Sequence, residues 1–166
     1  DLYPTINLFH RLQNANKLQG QQKDIYSYKS LKDLEDTLKI ISEESNREYL
    51  KKLKNQMKSV SDLPHLIFEN DKFAVTRIDT RAESIVIGNN TKWCITMSNA
   101  NYFDHYKANN VEFYFAILKE KIEDKAYQKL AFDFQRDFDK NILKETIWLA
   151  NDNPNGSITS NMIDYY

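Results

Sequence analysis

The chain has 166 residues, 41% of them hydrophobic and 13% aromatic, a globular composition that argues against disorder and suits a single domain with a small appendage. Cys94 is its single cysteine, which excludes an intramolecular disulfide framework and fits a reducing compartment; no apolar run nears the ~20 residues of a transmembrane helix. Lys plus Arg number 23 against 24 Asp plus Glu, so the basic excess of a duplex-binding protein is missing. No secretory signal opens the chain, and Asp1 in place of Met predicts a processed or truncated polypeptide.

The first part of the chain reads as helices, a segment over 1–60 ahead of an α+β domain over 61–166. Ile6, Phe9, Leu12 and Gln13 follow helical spacing after Thr5, and Gly20 offers a stop. Ser30 is a candidate N-cap for a second helix, whose stripe Leu31, Leu34, Leu38 and Ile41 turns one apolar face to a partner. Ser45 and Glu48 have capping-box spacing and predict a third helix carrying Tyr49, Leu53 and Met57. Lys51, Lys52, Lys54 and Lys58 ride on it. They would suit a nucleic acid, but a solvated helix face explains them more simply.

From Leu63 the periodicity changes. Leu66–Phe68 and Phe73–Ile78 read as strands around an Asn70-Asp71 turn. Thr80 and Glu83 are spaced as a capping box, and with Gly88 they predict a short helix over Arg81–Ile87, though its β-branched end could enter a strand. Asn89-Asn90 makes a turn, Trp93–Met97 reads as strand, and Tyr102, Phe103, His105 and Tyr106 take helical spacing. Val111–Lys119 is apolar on both faces, which predicts a central strand. Residues 126–134 and Ile142–Ala150 supply two more strands, and Asn151–Gly156 breaks the last. Helices followed by a mostly antiparallel sheet with one or two inserted helices is an α+β fold.

The densest stretch for chemistry is Thr80-Arg81-Ala82-Glu83-Ser84, then Gly88-Asn89-Asn90-Thr91-Lys92-Trp93-Cys94-Ile95. An aromatic helix (Asn101, Tyr102, Phe103, Tyr106) and the strand Phe113-Tyr114-Phe115 follow. This order resembles a pattern in uncharacterised proteins of bacteriophages and other mobile elements, and more distantly in conjugation-associated PcfJ-like proteins. The resemblance spans roughly residues 63–153, with Asp71 and Trp148–Asp152 matching its outer parts. Two departures stand out: in Ala82-Glu83-Ser84 the small residue Ala82 and the acidic Glu83 occur in swapped order, and Asn90 replaces a second glycine, at a position that can still take positive φ. The resemblance implies a genetic setting, that of a phage or mobile element, and no activity.

Cys94 is the candidate nucleophile, with Lys92 beside it to favour a thiolate and Glu83, Thr91 and His105 nearby. A helix rises ~1.5 Å per residue, so His105 lies awkwardly far along the chain for direct contact. A structural, buried cysteine is the simpler reading. One Cys and three scattered His give no zinc spacing, so no metal and no cofactor are expected. Asp133, Asp137, Asp139 and Glu145 could hold a divalent ion, but the middle pair more simply caps a polar turn. Residues 88–92 lack the glycines of a phosphate loop. Phe113, Tyr114 and Phe115 could stack bases, although core packing suits a doubly apolar strand better.

Two functional classes remain open. The first is an accessory module that binds a host or viral macromolecule, most simply a protein, in the host cytoplasm or the virion. Thr91, Lys92, Trp93, Tyr102 and Tyr106 are its candidate binding residues, and neither a membrane nor, on net charge, a nucleic acid is favoured as partner. The second is a small cysteine-dependent or transferase-like enzyme using Cys94, His105 and Glu83. Local geometry places Thr91, Trp93 and Cys94 on a pocket wall opposite Tyr102 or His105.

Overall fold

In the computed structural model, residues 2–137, 139–154 and 159–166 are described. The chain divides into two compact units, residues 1–49 and 50–166. In the first, helix α1 (Tyr3–Asn14) opens on Pro4, whose missing N–H costs nothing in a first turn. Phe9, Leu12, Leu18, Leu34 and Leu38 form its core. Helix α2 (Leu31–Gln56) starts at the expected Ser30, whose hydroxyl accepts from the Asp33 N–H at 3.1 Å.

The helix predicted to begin at Ser45 is not a separate element. With no Gly or Pro between Leu31 and Gln56, nothing interrupts the hydrogen-bond ladder, and α2 runs straight through the capping-box spacing. The lysines Lys51, Lys52 and Lys54 of its last turns are exposed, as is Lys58 beyond it. No helix among the described residues is long and apolar enough to cross a membrane.

The second unit is built on five antiparallel strands in chain order: β1 (Leu66–Glu69), β2 (Phe73–Ile78), β3 (Val111–Leu118), β4 (Lys129–Arg136) and β5 (Ile142–Leu149). The doubly apolar β3 is central, as its pattern predicts. Between β2 and β3 come two short helices, α3 (Arg81–Ile87) and α4 (Phe103–Ala108); α5 (Ser160–Tyr165) closes the chain.

Strand register assigns the two faces. Phe113 pairs with Asp133 and Asp133 with Thr146; one step along, Phe115 pairs with Ala131 and Ala131 with Trp148. These residues therefore share one face, together with Ala74, Thr76 and Ile78 of β2. Ile78, Ile87, Trp93, Ile95, Phe103, Phe113 and Phe115 make the main core on it. The opposite face carries Ala116, Leu130 and Leu149 under Met162 of α5. Phe113 and Phe115 belong to the core and Tyr114 is half-buried, so this strand presents no row of stacking aromatics.

Two differences from the sequence reading have local causes. Trp93–Met97 is a turn rather than a strand: Asn90 takes φ +64°, and the Thr96 N–H bonds back to the Trp93 carbonyl at 3.0 Å, so backbone groups are satisfied locally. Asp137 and Asp139 sit, as the simpler reading has it, in the turn after β4, where the Asp137 carboxylate accepts from the Asn141 backbone at 2.8 Å and its side chain at 3.0 Å. The strand expected at 126–134 begins at Lys129, because Lys125–Tyr127 forms a 3-10 turn. In the predicted break after β5, Asn155 and Gly156 lie outside the described residues.

Candidate functional site

Helices α3 and α4 pack on the β2–β3 side of the sheet, and the face of β4 and β5 beyond α4 stays open. A cavity of about 560 Å³ lies there. Its floor is the sheet itself, with Phe113, Asp133, Thr146 and Trp148; His105 and Tyr106 of α4 with Asn109, which caps it, form one wall, and Trp93–Ile95 with Asp152 form another. That volume falls within the ~300–1,000 Å³ of small-ligand pockets.

The turn leading into the wall is sewn down on three sides. Gly88 has an ordinary φ of −83°, so positive φ is not what calls for glycine there. Space is: a Cβ on Gly88 would come within 2.4 Å of Thr96 Cγ2 and 2.6 Å of the Ser84 carbonyl. The Thr91 hydroxyl donates to the Gly88 carbonyl at 2.7 Å, and the Lys92 N–H donates to Ala150 at 2.8 Å. The Trp93 indole N–H donates to the Leu149 carbonyl at 2.7 Å, tying the motif to the end of β5. Ser84 Oγ and Asn101 Nδ2 both donate to the Ile95 carbonyl at 2.6 Å.

Of the residues singled out from sequence, Trp93, Cys94, His105 and Tyr106 meet at this cavity. Thr91 holds the turn, Lys92 is exposed, and Tyr102 is exposed outside the lining. Glu83 is elsewhere. Only 1% exposed, it accepts from the Asp79 and Thr80 backbone N–H groups at 2.7 and 3.1 Å, the return half of the predicted capping box. Its other oxygen meets His65 Nε2 at 3.0 Å. A carboxylate so engaged in starting α3 cannot reach Cys94 chemistry.

Electrostatics inside the cavity follow from burial among negative groups. Burial pushes the Cys94 thiol up and the Asp152 charge adds to it, while a hydrogen bond with the Tyr106 phenol pulls the other way. Tyr106 is raised by burial, then by its contact with Cys94 and by Asp133 and Asp152. Both carboxyls are raised by burial; for Asp133 the Trp148 indole and the nearby Lys144 ammonium offset part of that. Among the described residues, neither Asp133 nor Asp152 is ion-paired. No three His, Cys, Asp or Glu side chains converge to hold a metal ion among them either.

Sequence reasoning weighed Asp133 only as a metal ligand and passed over Thr146 and Asp152. The signal was present: Asp133 is a charge in the middle of the apolar run Leu130, Ala131, Phe132 and Phe134 of β4. Period-two counting also puts Lys144, Thr146 and Trp148 together on one face. No protein family, curated protein or solved structure matches this chain.

Proposed function

We propose that the chain is a binding module whose recognition site is the cavity between α4 and the β4–β5 face, and that its partner is a host or viral protein. The observation that carries this is the open, lined floor of the sheet. A folded core would have closed over Trp148, which stays half-buried, whereas here polar Asp133, Thr146 and Asn109 break the apolar lining at separate points, as in ligand sites. The resemblance of the Gly88–Cys94 stretch to phage and mobile-element proteins supplies the setting, in the host cytoplasm or the virion.

The cysteine-enzyme reading has weaker support. A nucleophilic thiol needs a lowered pKa and a base, and Cys94 has the reverse: a raised thiol whose hydrogen-bond partner is a phenol. His105 lines the same cavity, but its ring stacks edge-on against Tyr106 at 5.8 Å.

The experiment is to fill the cavity. Thr146→Phe keeps a good strand former at a half-buried position and occupies the floor. Proteins retained from phage-infected host extract by the wild-type chain should be released by this variant, with circular dichroism unchanged. An identical retained set would sink the reading.

A further inference from the structure

Resting on the binding-module reading, we infer that the cavity takes a cationic side chain, the guanidinium of an arginine or the ammonium of a lysine presented by the protein partner. Charge points there first. Asp133 on the floor is a half-buried carboxylate and Asp152 at the wall an exposed one, and neither has an ion pair among the described residues. A half-buried carboxylate such as Asp133 is costly until a cation joins it, and Asp152 adds a second negative charge at the rim. Lys144, the one lysine or arginine of the lining, sits at an exposed strand position; it attracts Asp133 from a distance but forms an ion pair with neither carboxylate.

Orientation points the same way. The Trp148 indole N–H holds Asp133 Oδ2 at 2.6 Å, which fixes the carboxylate on the sheet. An oriented carboxylate suits the forked donors of a guanidinium. The walls then suit the rest of the side chain: Trp148 and Tyr106 present aromatic surface, which attracts a cation and packs an aliphatic stem. A bare metal ion fits poorly, since no three ligating side chains converge. A phosphate would meet two carboxylates.

The test uses N-acetyl-arginine amide and its neutral isostere, N-acetyl-citrulline amide, titrated into the full chain while the indole N–H resonances of Trp93 and Trp148 are followed. The arginine probe should shift Trp148, with citrulline at least about tenfold weaker. Asp133→Asn and Asp152→Asn should each weaken the arginine probe by about tenfold. Asn tolerates the φ of +69° at position 152, so that variant keeps the backbone. Citrulline or adenosine monophosphate binding as tightly as arginine would overturn the cation assignment, as would silence of the arginine probe. In either case, continued loss of partner with Thr146→Phe would leave the cavity as the binding site and remove only the cation.

Discussion

The Trp148 indole N–H donates to Asp133 Oδ2 at 2.6 Å across the β4–β5 pair, two residues out of direct register on the same face. This diagonal bond holds a carboxylate on the inner face of a sheet, where water is scarce. It does not supply a counter-charge. The folded state therefore tolerates Asp133 instead of gaining from it.

That has a measurable sign. A carboxyl raised in the folded protein binds its proton more tightly there than in the unfolded chain, so stability falls as pH rises through the ordinary value of ~4 and on past the raised one. Asp133→Asn should thus be no less stable than wild type at pH 7, and Asp152→Asn likewise. The gain over wild type should vanish at low pH, where the native groups are neutral. Urea unfolding at pH 3.5, 5 and 7 checks this; a loss of stability at pH 7 that fades on acidification would show the carboxylates to be structural. The same titration predicts that cation binding weakens as pH drops, since protonated Asp133 and Asp152 carry no charge.

Gly88→Ala should destabilise by about 1–3 kcal/mol through overpacking. The added methyl meets the Ser84 carbonyl, which is helix backbone, and Thr96, whose hydroxyl is held against Thr91 at 3.0 Å. Neither neighbour can retreat without breaking the turn. A stability change near zero by urea denaturation would mean that the turn is looser than its hydrogen bonds indicate. Thr96→Ala in the same background should recover part of the loss, because it deletes the nearer contact.

Strand pattern and capping chemistry carried most of the fold. The Thr80–Glu83 box and the two-faced apolar run of Val111–Leu118 are local signals, and each stands in the structure where local physics put it. The same capping spacing at Ser45 misled, because a box only matters where the chain is not already helical. The site was half legible. Trp93, Cys94 and His105 could be gathered from one stretch of sequence, but Asp133 and Asp152 join them only through strand register and the return of the chain after β5. Pairing over such separations has no local signature.

Trp93→Ala should cost about 3–5 kcal/mol, since the ring is 2% exposed, packs on Phe115 at 4.8 Å between centroids, and bonds to Leu149. Cys94→Ser should stay within about 1 kcal/mol, because the half-buried hydroxyl can keep the Tyr106 contact. Both are read from urea midpoints. Equal, large losses would make the Trp-Cys pair a core element and detach Cys94 from the cavity's function.

Cys94 offers the last check, because it is the chain's single thiol and stands on the cavity wall. Only the thiolate reacts with iodoacetamide, and burial together with the Asp152 charge keeps this thiol protonated. Alkylation at pH 7.5 should therefore be slower than that of glutathione and should climb as pH is raised. Asp152→Asn removes a charge that opposes thiolate formation, so it should speed the reaction. Tyr106→Phe removes the hydrogen bond that favours the thiolate, so it should raise the pH at which labelling takes hold. Alkylation faster than glutathione at pH 7.5 would reveal an activated nucleophile and bring the enzyme reading forward. An arginine ligand seated beside Cys94 would bring a positive charge and a physical block together, and the two separate by probe size. Small iodoacetamide senses the charge, whereas a bulky maleimide senses the block, so bound arginine should slow maleimide labelling more than iodoacetamide labelling.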